Sequence, residues 1–66
     1  MFDKKFLKVE EAMDGLEYWF NELRDNIALL QEDPFINLDQ IIKGFAEVEA
    51  CAEEVRVQAI RAIEEL

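Results

Sequence analysis

The chain has 66 residues and 7.7 kDa, enough for one small domain over 1–66 and no second. Sixteen acidic residues against seven basic ones leave a net charge of −9, which speaks against a general affinity for DNA or RNA and favours basic partners. No His, Ser or Thr is present, so a Ser-His-Asp triad, a Cys/His zinc site and a histidine general base are excluded within the chain.

Apolar residues first recur at Phe2, Phe6, Val9, Met13, Leu16, Phe20, Leu23, Ile27 and Leu30. The alternating steps of four and three are the rhythm of a helix packed along one seam, and they predict a helix over about 3–31. Asp3 is placed to cap it, with Phe2 and Leu7 as a hydrophobic staple. The start also lacks the apolar stretch of a signal peptide, and no run approaches the ~20 apolar residues of a membrane span. The expected location is cytoplasmic, without membrane attachment.

A loop follows at 32–37, where Pro34 disfavours helical geometry at Asp33. Asn37 suits an N-cap, Gln40 completes a capping box, and Ile36 and Ile41 form a second staple. A start with Asp33 as cap and Pro34 at the first helical position is the rival. The next run is Leu38, Ile41, Phe45, Val48, Ala52, Val55, Ala59, Ala62 and Leu66, predicting a second helix over about 38–65.

Two helices of similar length joined by a short loop must lie antiparallel. The expected fold is therefore all-α, an antiparallel helical hairpin. Folding one seam onto the other pairs Leu16 with Ala52, Leu23 with Phe45 and Leu30 with Leu38. It also brings Lys4, Lys5 and Lys8 beside Glu64 and Glu65.

A lone hairpin this small has little interior, and one cysteine, Cys51, offers no internal disulfide. Trp19, Leu29, Ile42, Val57, Ile60 and Ile63 lie off the seam. Pairing of two hairpins into a four-helix bundle, a homodimer, would bury such residues. One flank is charged, with Glu10, Glu17, Arg24, Glu49 and Arg56. The other carries Ala12, Trp19 and Asn26 opposite Gly44, Cys51 and Gln58, and these six are the expected dimer interface.

Glu10, Asp14 and Glu17, with Glu49 and Glu53 across the hairpin, are the only grouping suited to a divalent cation. They resemble the acidic helices of MazG-type nucleotide pyrophosphatases. That family's Glu-x-x-Glu pairs are absent, and Glu11-x-x-Asp14 and Glu22-x-x-Asp25 stand here instead. The plainer expectation is a solvated face and no metal or other cofactor. Cys51 has no base to activate it and reads as a small hydrophobe. Phe20 on the seam, Trp19 beside it and Tyr18 pointing outward cannot line one pocket.

In length and topology the chain resembles the Rop family of dimeric hairpins, which implies a four-helix bundle. The outward row Lys4, Glu11, Tyr18, Asp25 matches no RNA-binding motif of that family, so direct nucleic-acid binding is not expected. The functional expectation is a small acidic non-enzymatic protein-binding module: a regulator, inhibitor or assembly factor, dimeric, with a basic protein as partner. The alternatives are a nucleic-acid-mimicking inhibitor and a divalent-cation-dependent all-α enzyme using the carboxylate groove.

Overall fold

In the computed structural model the described residues are 3–33, 35 and 38–66. A 3-10 turn at Lys4–Phe6 leads into helix α1, Leu7–Leu29. Asp3 occupies the cap position with extended backbone, and its carbonyl accepts the Phe6 N–H at 2.8 Å, but its carboxylate makes no capping bond. Without that side-chain bond the first residues wind as the tighter 3-10 turn, and the α-helix begins only at Leu7. The expected staple partner Phe2 lies outside the described residues.

The α1 C-terminus tightens in the same way. The N–H groups of Leu30, Gln31 and Glu32 donate to the carbonyls of Ile27, Ala28 and Leu29, three residues back. The last carbonyls are thereby satisfied. Asp33 Oδ1 then accepts the Phe35 N–H at 3.1 Å, an Asx-type turn that redirects the chain. The capping box at Asn37, the Ile36 staple and the rival use of Pro34 fall outside the described residues.

Helix α2 spans Leu38–Glu64, with Asp39 in its first turn and Arg61 in its last, both favourable to the helix dipole. It packs antiparallel on α1 along its length, and no strand occurs among the described residues. A Cβ at Gly44 would sit 3.0 Å from Leu23 Cδ1, and one at Gly15 would sit 3.8 Å from Cys51 Sγ. These contacts fall within a residue or two of the register that the seams predict.

The seam itself is turned. Of its two alternating columns, one is kept: Val9 and Leu23 on α1, with Ile41 and Ala62 on α2, are buried, and Leu16, Val48 and Val55 are half-buried. The other column faces outward, with Met13, Phe20 and Ile27 on α1 and Leu38, Phe45, Ala52 and Leu66 on α2 all exposed, while its members near the open end, Phe6 and Ala59, are half-buried. Its place between the helices is taken by Ala12, Trp19 and Asn26 of α1 and by Gly44, Cys51 and Gln58 of α2, which are half-buried or, at Gly44, buried.

Residue size gives the physical reason. Gly44, Cys51, Ala12 and Gly15 let the backbones approach on that side, whereas Phe20 and Phe45 would hold them apart. Turning the helices also covers much of Trp19, the largest apolar side chain in the sequence.

Candidate functional site: the open apolar face

The turned seam gives the hairpin two unlike broad sides. On one, Met13, Phe20, Ile27, Leu38, Phe45 and Leu66 are between 41% and 78% exposed. Ile42 and Ile63 stand at its margin, also exposed. The other broad side carries Lys8, Glu22, Gln40, Glu47, Glu54 and Arg61, polar residues along both helices, with Gly15 and exposed Leu29 among them. Helical geometry at about 100° per residue separates these two rows onto opposite sides of the hairpin.

The six residues expected at a dimer interface are half-buried or, at Gly44, buried in the single hairpin. Trp19 is half-buried, with the Lys43 ammonium 5.9 Å from its ring centroid and Tyr18 edge-on at 5.3 Å. That is a cation–π distance, and it ties α2 to α1 across the polar side. Gly44 receives the Leu23 side chain, and Cys51 lies beside Gly15. Ala12 and Gln58 border a shallow groove with Lys8, Glu11 and Glu54.

The five candidate cation ligands do not converge. Among the described residues no group of three or more acidic, Cys or His side chains is placed to hold a metal ion. Glu10, Asp14 and Glu17 lie on α1 and Glu49 and Glu53 on α2, and no three of them come together. Glu53 is held by Arg56 on its own helix instead, the guanidinium donating to both carboxylate oxygens. That bond holds the Glu53 carboxyl below its ordinary value and raises Arg56 above its own.

At the open end of the hairpin Lys4, Lys5, Lys8 and Arg61 line one groove with Gln58, Ala62 and Glu65. The sequence signalled the lysines and Glu65. Arg61 joins them only through the antiparallel register. Among the described residues the ion pairs lie elsewhere, at Arg24–Asp25 and Arg56–Glu53. Nor, among these residues, is any helix long and apolar enough to cross a membrane.

The fold and its surface define an all-helical hairpin, polar on one broad side and apolar on the other. No family model, curated protein or solved structure matches the chain.

Proposed function

We propose that this chain is a small acidic, non-enzymatic interaction protein that works as a four-helix-bundle dimer and docks a protein partner. One observation carries the reading: a hairpin whose interior holds only Val9, Leu23, Ile41, Gly44 and Ala62 as buried residues among those described leaves Met13, Phe20, Ile27, Leu38, Phe45 and Leu66 uncovered along one side. Large contiguous apolar surface on a small protein marks an interaction surface. With a net charge of −9, electrostatic attraction selects basic proteins as the partners of what remains exposed.

Melting followed by circular dichroism across protein concentrations tests the dimer. The melting temperature should rise with concentration, because folding and association are coupled. A melting temperature independent of concentration refutes it. The acidity also favours a second reading, mimicry of a nucleic acid. In that case the chain competes with DNA for a basic protein, and added salt weakens the competition.

A further inference from the structure

We infer that the open apolar face is a self-association surface whose occupant is a second copy of this chain, laid face to face as the other layer of a four-helix bundle. The inference rests on the dimeric reading above and names the face and the geometry that serve it.

Area is the first argument. The chain exposes 5286 Å², whereas a compact monomer of this mass exposes about 4,300 Å². The excess of about 1,000 Å² belongs to the whole elongated hairpin, and it is large enough to supply the ~800 Å² that each partner buries in a stable protein–protein interface.

Shape is the second. The hairpin measures 49 × 20 × 11 Å between Cα extremes, so it is one helix thick. Helix layers pack about 10 Å apart, and one further layer of the same width gives the near-square section of a four-helix bundle.

The third argument is length. The exposed row runs from Ile27 and Leu38 near the loop to Met13 and Ala52, with Phe6 and Ala59 half-buried and Leu66 exposed beyond them, so an occupant must span most of the hairpin to cover it. A second copy has that length and the same heptad spacing. Either two-fold axis lying between the layers sets every helix against antiparallel neighbours. Glu10 stands towards the rim, whereas Arg24, Glu49 and Arg56, within about 40° of Phe20 or Phe45 on their helices, lie on the face itself, where Arg and Glu of the two copies must meet with opposite sign. The polar broad side, with its basic end groove, faces outward in both copies.

Small-angle scattering of the wild type, with mass by sedimentation equilibrium, tests the geometry without any variant. The single hairpin has a Cα radius of gyration of 15.0 Å. Face-to-face doubling at about 10 Å spacing raises it only to about 16 Å while the mass doubles. An edge-to-edge dimer across the 20 Å width would reach about 18 Å, and an end-to-end dimer far more.

A dimer near 16 Å supports the inference. One at 18 Å or above overturns the face and leaves the dimeric reading standing, whereas a monomer at about 100 µM overturns both. As a second test, Phe20→Gln with Phe45→Gln should weaken association by at least about 100-fold, since both rings are central to the face and each counts twice in a symmetric pair. An unchanged dissociation constant overturns the inference.

Discussion

At Gly44 a β-carbon would sit 3.0 Å from Leu23 Cδ1, whereas at Gly15 its nearest neighbour would be Cys51 Sγ at 3.8 Å. Both glycines lie within helices, where alanine is favoured by about 1 kcal/mol. Gly15→Ala adds an ordinary van der Waals contact and should raise the melting temperature. Gly44→Ala must push the Leu23 side chain aside, and overpacking of about 1–3 kcal/mol offsets the helical gain. Its melting temperature should stay level or fall, and parallel thermal melts check the contrast. At the exposed Glu53–Arg56 pair, the carboxyl is held low by the Arg56 hydrogen bond. Its small stabilising contribution is therefore present above the unfolded pKa and lost as pH falls through the lower folded value. Glu53 should titrate below the ordinary glutamate value by NMR, and Arg56→Gln should raise it back.

At the scale of the helices, the kept column and the small-residue column do different work. Leu23 is 7% exposed and lies against Gly44. Leu23→Asp places an unpaired charge there and should unfold the hairpin, a loss of several kcal/mol. Unchanged helical circular dichroism and melting would contradict the register. Trp19→Glu should also destabilise the hairpin, because Trp19 packs on the α1–α2 side under Lys43 rather than on the open face. Its effect is on melting at every protein concentration. The Phe20 and Phe45 substitutions, by contrast, remove side chains that are 56% and 50% exposed in the single hairpin. In the proposed dimer they should act through association.

For the whole molecule, charge and apolar area oppose each other. Each copy carries −9, so two copies repel, and in the proposed dimer burial of the apolar face must drive association. Raising sodium chloride from about 0.05 M to about 0.5 M screens that repulsion and should tighten the dimer. Sedimentation equilibrium across the series measures the change. Weakening with salt would mean that ion pairs between the copies hold the assembly instead. The expectation for a basic protein docked outside the bundle is the reverse, since that attraction is itself screened.

The heptad spacing by itself determined the two helices, their antiparallel pairing and a register within a residue or two. Those features follow from period and chain connectivity, which are properties of the sequence alone. Spacing could not decide which flank of the seam would close. Met13, Phe20 and Phe45 fit a heptad as well as Leu23 does, and their exposure depends on what the opposite helix presents at the same level. The tertiary structure decided that by bringing Gly44, Cys51, Ala12 and Gly15 to one side, where close approach of the backbones buries Leu23 and much of Trp19. The same turn left Phe20 and Phe45 on the open apolar face. Small side chains fix how near two helices can come, and that distance exists only once both helices are in place.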